Sequence, residues 1–363
     1  MPVPLFDVQT PLEPLRARLE AALLAAVDDG RFILGPNVAA FEREFADWLG
    51  ARHAIGVANG TEALTIALRA LGVGPGDEVI VPSFTFYASA EAIPPTGASP
   101  VFCDVDPRTF LATPETVRAA MTPRTKAVVA VHLFGNLAPV EEIEALGVPV
   151  VEDAAQAAGT IGPGGRPGAI GTAATFSFYP SKNLGCFGDG GAVTTSDDAL
   201  AERVRMLRFH GSRDKLSYEE VGYNSRLDEL QAALLRVMLP ELTHWAAHRH
   251  LAGAWYEEAG LGELVALPEP APGSAPAWHL YVVRHARADA LAAGLAARGV
   301  EARAYYRTPV HRQPAMARWA PTAELPGTEQ AAREHLALPV GAAITRAHVD
   351  EVVAAVRAVL GGA

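Results

Sequence analysis

The sequence predicts an α/β fold with a mostly parallel sheet, followed by a small α+β unit. Three observations carry this. Short apolar runs alternate with helical patterns from residue 54 to residue 195, as in a sheet whose strands are joined by helices. A Pro-rich break, LPEPAPGSAP at residues 267–276, interrupts that pattern and a different one follows it. The chain has 363 residues, more than one hydrophobic core normally serves, so a large domain over 1–245 and a smaller one over 246–363 are expected.

Taken in order, residues 12–29 read as an amphipathic helix with Leu12, Leu15, Leu19, Leu23 and Val27 on one face, and residues 38–49 as a second. Strands are expected at 54–58, 78–81, 100–103, 127–132, 148–152, 175–179 and 191–195, with helices at 62–71, near 88–93 and at 196–209. Residues 211–224 read as a polar loop. A long helix is expected over 228–245, with continuation toward 256. The C-terminal unit reads as a strand at 279–283, a helix at 288–298, a strand at 301–306 and a helix at 347–360.

Half the residues are hydrophobic and the mean hydropathy is +0.14, which excludes a disordered chain. The formal net charge of −11 argues against nucleic acid and anionic membrane as partners. Cys103 and Cys186 cannot make a disulfide framework or a metal-ligand pattern, so no metal is expected and a reducing cytoplasm fits. Residues 1–10 lack the basic-then-apolar pattern of a signal peptide, and no apolar run is long enough to span a bilayer. Arginine supplies nearly all the positive charge. Lys126, Lys182 and Lys215 are the only lysines, so each marks a place where a primary amine is a candidate requirement.

Three segments point to chemistry. Ala58-Asn59-Gly60-Thr61-Glu62 follows a strand and opens a helix, where free N–H groups and the dipole favour an anion such as phosphate; the same residues also read as a plain N-cap. Val150-Val151-Glu152-Asp153 puts carboxylates at a strand end, where one can hold a protonated heteroaromatic nitrogen or merely cap a helix. Thr175-Phe176-Ser177-Phe178-Tyr179-Pro180-Ser181-Lys182-Asn183 runs an aromatic strand into a lysine and a Gly-rich turn. Burial there lowers an amine's pKa and frees it as a nucleophile, although a surface loop lysine reads the same way. Phe84, Phe86 and Tyr87 sit where a strand ends and a helix begins; one could stack on a flat ring, although for each singly a core aromatic is the commoner reading. His132 reads as a packed histidine.

These segments fall inside a longer series: PLFDVQ, RFILGPNVAAFEREFADWLGARHAIGVANGTEAL, GPGDEVIVPSFTFYASAEAI, VVEDAAQAAGT, TFSFYPSKNLGCFGDGGAVTT, GYNSRLDELQAALL, YYRTPVHRQPAM and LPGTEQAAREHLALPV. In this order the blocks resemble the DegT/StrS sugar aminotransferases over essentially the whole chain. The resemblance implies the type I fold of pyridoxal 5'-phosphate (PLP) enzymes, with a seven-stranded sheet, and a cofactor that passes through its pyridoxamine form. Lys182 would anchor the cofactor and shuttle a proton, and Asp153 would hold the pyridinium nitrogen protonated. Gln156 would contact the ring hydroxyl and Phe86 would stack on the ring. Gly60, Thr61 and Ser177 would hold the phosphate, and Asn224, with Arg226 as second candidate, would reach the cofactor of a neighbouring subunit in a homodimer. The substrates implied are a dTDP- or UDP-linked keto-sugar and an amino-acid donor, with Tyr305, Arg307 and His311 as sugar-nucleotide contacts. Relatives with histidine at the lysine position dehydrate instead, so Lys182 favours transamination. A dehydratase or aromatising synthase and a non-catalytic regulatory relative are the alternatives. Phe209, before His210-Gly211, departs from the asparagine the family often has there.

Overall fold

The structure, a computed structural model, describes residues 2–361. In chain order its helices are α1 (Arg16–Asp29), α2 (Pro36–Leu49), α3 (Gly60–Ala70), α4 (Ala88–Glu91), α5 (Pro114–Ala120), α6 (Val140–Glu144), α7 (Asp198–Leu207), α8 (Glu229–Met238), α9 (Leu242–Glu258), α10 (Ala288–Ala296), α11 (Pro326–Glu334) and α12 (Arg346–Gly361). The strands are β1 (His53–Val57), β2 (Glu78–Pro82), β3 (Ser99–Cys103), β4 (Thr125–Val131), β5 (Val150–Asp153), β6 (Ala173–Ser177), β7 (Gly191–Thr195), β8 (Tyr281–Arg284) and β9 (His335–Leu338).

The first seven strands form one sheet in the order β1-β7-β6-β5-β4-β2-β3. All neighbours are parallel except β7, which runs antiparallel to both β1 and β6. The carboxyl ends of β1, β2, β4, β5 and β6 therefore share one edge. The strands are apolar throughout because both faces are covered. Alternation splits them cleanly: Val79 and Val81 pack with Ile66 of α3 and Val204 of α7, while Ile80 between them packs with Val117 of α5 and Ile143 of α6. Toward β6 the second face is closed by Phe41 and Phe45 of α2 and Leu234 and Leu235 of α8.

Four local expectations are corrected. Val27 is 52% exposed and Ala26 takes the buried position, so the apolar face of α1 is shorter than its leucine spacing suggests. The long helix from 228 is broken by a 3-10 turn at Leu239–Glu241, because Pro240 lacks the N–H that a continuous helix needs. Residues 301–306 make only one bridge, Arg303 to Ala337, because β8 already pairs with β9, a strand the sequence pattern did not reveal. Helix α11, just before β9, was likewise not expected. The expected division at residue 245 falls inside α9. Leu242 packs into the core under α2 and α8, whereas Ala252 and Tyr256 pack into the C-terminal core with Leu291 and Val352. The N-terminus joins that second core too, with Val3 buried and bridged to Val300.

Candidate active site

Lys182 is placed by a turn that begins where β6 ends. Phe176 and Phe178 lock this segment to α2, with ring centroids 5.0 and 5.5 Å from Phe45 in edge-on contact. The Lys182 amide donates to Tyr179 O and the Cys186 amide to Phe178 O, at 2.8 and 2.7 Å. Gly185 is required there, since a Cβ would lie 2.6 Å from Pro180 O. The Asn183 side-chain amide ties the turn down by donating to Ala158 O and Ala277 O. Burial pushes the Lys182 amine down to about 8, against the opposing pull of Asp153.

Of the two carboxylates ending β5, one faces the cavity. Asp153 is 6% exposed; its Oδ2 accepts from Ser89 Oγ at 2.7 Å and its Oδ1 from the Ala155 amide at 3.2 Å. Thr85 Oγ1 lies 3.0 Å from Ser89 Oγ and continues the chain. Glu152 points to the opposite face, as strand alternation demands. It meets the fully buried His132 at 2.8 Å and accepts from the amides of Gly168, Ile170 and Gly171, so His132 is the packed histidine expected.

At the start of α3 the N-cap reading is met. Asn59 is the N-cap, accepting from the Glu62 amide at 2.9 Å, and its carbonyl takes the Ala63 amide. The amides of Gly60 and Thr61 are left without a protein acceptor among the described residues. Gly60 packs so closely on β6 that a Cβ would lie 2.8 Å from Ser177 Cβ.

These groups line one cavity of about 590 Å³ at the carboxyl edge of the sheet. Lys182, Asp153, Gln156, Gly60, Thr61, Ser177, Phe86 and Tyr305 all border it. Gln156 Oε1 accepts from the Phe134 amide at 2.8 Å, and its Nε2 donates to Tyr306 Oη at 3.2 Å. Phe86 is 54% exposed on the rim. The cavity also has borders that the sequence reasoning missed: Ser89, Phe6, His279 and Tyr306. Ser89 had a signal, a hydroxyl four residues after Thr85 in a segment already suspected. His279 and Phe6 had none, because chain folding alone brings them here. Tyr306 is held from behind by its amide, which donates to His335 Nε2 at 3.1 Å, while His335 Nδ1 bonds Ala331 O. Burial holds the His335 imidazole down to about 4 and so keeps it a neutral acceptor.

The other expected residues lie outside this lining. Asn224 is exposed and bridged through its backbone to Phe209, whose ring carries Lys215 Nζ at 4.9 Å from its centroid. Arg226 is half-buried. Arg307 is turned away, its guanidinium donating to Ala332 O and Arg333 O at the end of α11 and to Asp289 of α10. His311 packs against Ser83 through Nδ1, with Nε2 3.6 Å from Glu329. These contacts hold both side chains away from the cavity, which neither borders.

The pattern of the DegT/DnrJ/EryC1/StrS aminotransferase family matches residues 14–357. The chain belongs to that family. It is 48% identical, over 98% of its own length and 95% of the other's, to dTDP-3-amino-3,4,6-trideoxy-alpha-D-glucose transaminase of Streptomyces venezuelae. The crystal structure of S. venezuelae DesV in complex with a ketimine intermediate superposes on the aminotransferase with a TM-score of 0.95, at 47% identity and with 98% of each chain covered. NtdA from Bacillus subtilis, with bound cofactor PMP (pyridoxamine phosphate), gives a TM-score of 0.91 at 28% identity, covering 99% of this chain and 85% of the other. The family and the PMP-bound neighbour indicate PLP-dependent aminotransferases. Among the described residues no helix is long and apolar enough to cross a membrane.

Proposed function

We propose that this aminotransferase carries PLP on Lys182, passes through the pyridoxamine form, and moves an amino group from glutamate to a nucleotide-linked keto-sugar. The observation that carries the reading is the Lys182 amine, brought to about 8 by burial, in one cavity with a hydroxyl-held carboxylate and a helix start whose Gly60 and Thr61 amides take no protein acceptor among the described residues. The residues fit the cofactor on their own terms. The close approach of Gly60 to Ser177 leaves bare backbone amides where a phosphate would sit, and a side chain there would fill the space.

When bound, the cofactor supplies an electron sink for the carbon that gains or loses nitrogen. The chain supplies everything else. Gly60 and Thr61 amides with Ser177 hold the phosphate, and Asp153, oriented by Ser89, keeps a proton on the ring nitrogen. Gln156, with one Nε2 hydrogen committed to Tyr306, offers the other to the ring hydroxyl, and Phe86 covers a ring face. Lys182 Nζ, near neutrality at moderate pH, takes a proton from the reacting carbon and returns it. Asn224, with Arg226 as the second candidate, lies outside the lining of its own cavity and is assigned to the neighbouring subunit's phosphate in a homodimer. Tyr305 is the sugar contact retained. The volume suits a sugar, and the S. venezuelae relative supports a dTDP carrier.

The test is to load the purified protein with the amino form of the cofactor and offer a panel of dTDP- and UDP-keto-sugars. A dTDP-keto-sugar should consume the amino form and yield an amino-sugar. If the cofactor stays bound and no sugar reacts, the sugar assignment fails. A dehydrated product would instead favour the dehydratase reading.

A further inference from the structure

His279 borders the main cavity, is 4% exposed, and is strung between two sides of the site. Two residues before it, Ala277 O accepts from Asn183, the chain neighbour of Lys182, at 2.9 Å. One residue after it, the Leu280 amide donates to Phe134 O at 3.3 Å, and the Phe134 amide is the one that meets Gln156. Its ring centroid lies 5.9 Å from that of Phe6, which borders the same cavity. The stretch comes in so close that a Cβ on Gly135 would lie 2.8 Å from the His279 amide nitrogen.

A buried histidine ordinarily spends its ring nitrogens on partners. His132 does so on Glu152 and the Ala138 amide, and His335 on the Tyr306 amide and Ala331 O. His279 spends neither among the described residues. Its Nδ1 is buried with no partner. Its Nε2 also has no protein partner but is not among the buried unmet atoms, so it keeps open surface, and the void this residue borders is the cavity that holds Lys182. A proton on Nδ1 would be an orphaned buried donor. It belongs on Nε2, which can reach whatever fills the cavity. Burial, with the charges of Lys182 and of Arg249 on α9 adding to it, pushes the imidazole well below its ordinary value. The ring is therefore a neutral donor that does not give its proton away.

Two keto compounds take part in a transamination: the sugar, and the 2-oxo acid left by the amino donor. Each must bring its carbonyl carbon to the same amino nitrogen beside Lys182. The carbonyl oxygen gains negative charge as the amine adds, takes the two amine protons and leaves as water. We propose that His279 Nε2–H donates to that oxygen and polarises the carbonyl in both half-reactions, keeping its own proton throughout.

This rests on the transaminase reading. The probe is 2-oxoglutarate labelled with ¹³C at its keto carbon. In the pyridoxal-loaded protein, which binds a keto acid without consuming it, difference infrared spectra should place the labelled carbonyl below its position in water. His279→Phe should abolish that downshift while the cofactor absorbs as in the parent. In the pyridoxamine-loaded protein, His279→Phe should slow conversion of 2-oxoglutarate about a hundredfold, with the half-saturating concentration moving about twofold at most. His279→Gln, whose amide nitrogen can stand near the place of Nε2, should recover about tenfold of the rate. A histidine that only packs would let His279→Phe keep both the downshift and the rate, and that result would overturn the proposal. His279→Gln no faster than His279→Phe, or a loss confined to the half-saturating concentration, would do the same. The unaltered protein decides even where a variant does not fold: a bound carbonyl no lower than in water contradicts the assignment. If the unaltered protein took up no cofactor, the transaminase reading itself would fail.

Discussion

Two regions face each other across the cavity and are built in opposite ways. On the sheet side, Asp153, Ser177 and the start of α3 stand at strand ends, held by backbone ladders with several neighbours each. On the C-terminal side, Tyr305 and Tyr306 sit in a stretch with no regular structure, held by side chains. Arg307 grips the end of α11, His335 takes the Tyr306 amide, and Asp104 caps α11 by accepting from Gly327 and Thr328. The sheet side can lose a reactive group and keep its shape. The C-terminal side loses its shape when a tie is cut, so its substitutions act on stability first.

Four outcomes would sharpen or break this contrast, in descending order of effect. Lys182→Ala should lower turnover about a thousandfold or more, while the melting temperature holds or rises because an amine costly to bury is gone. A large loss of stability would contradict the division. Gly60→Ala should weaken cofactor binding by about tenfold or more, since its Cβ collides with Ser177; cofactor titration of the apo protein reads this. Asp104→Ala should cost about 1–2 kcal/mol by removing a helix cap, seen in denaturant melts, with kcat changed less than about fivefold. Arg307→Met should do the same with a smaller shift, because its ties are partly solvated.

The pH dependence of cofactor capture is a fifth check. Below about 8 the Lys182 side chain is an ammonium with no free pair, and above it a nucleophilic amine. The capture rate of apo protein should climb as pH rises and level off above about 8. An inflection near the ordinary lysine value of 10.5 would show the amine is not desolvated.

Legibility in the sequence follows the same line. All seven strands of the large sheet were readable, because a strand buried on both faces is a continuous apolar run between breakers. The lysine turn and the carboxylate were readable because a strand end fixes where they go. On the residues alone Glu152 and Asp153 both stayed open and only the family resemblance chose Asp153, although alternation along β5 turns Asp153 to the cavity and Glu152 to His132. In the C-terminal unit, His335–Leu338 continues the helical pattern of α11 and only pairing with β8 makes it a strand. Arg307 and His311 looked free because their partners, Asp289, Ala332 and Ser83, are distant in the chain or around a helix end. His279 and Arg249 carry no local mark at all. Their setting beside Lys182 is a product of tertiary packing.

The most direct measurement is chemical. Reduce the purified, cofactor-treated protein with borohydride, digest it, and locate the pyridoxyl label. The account predicts one labelled site, Lys182. A label on Lys126 or Lys215, or a protein that takes up no cofactor, would contradict it.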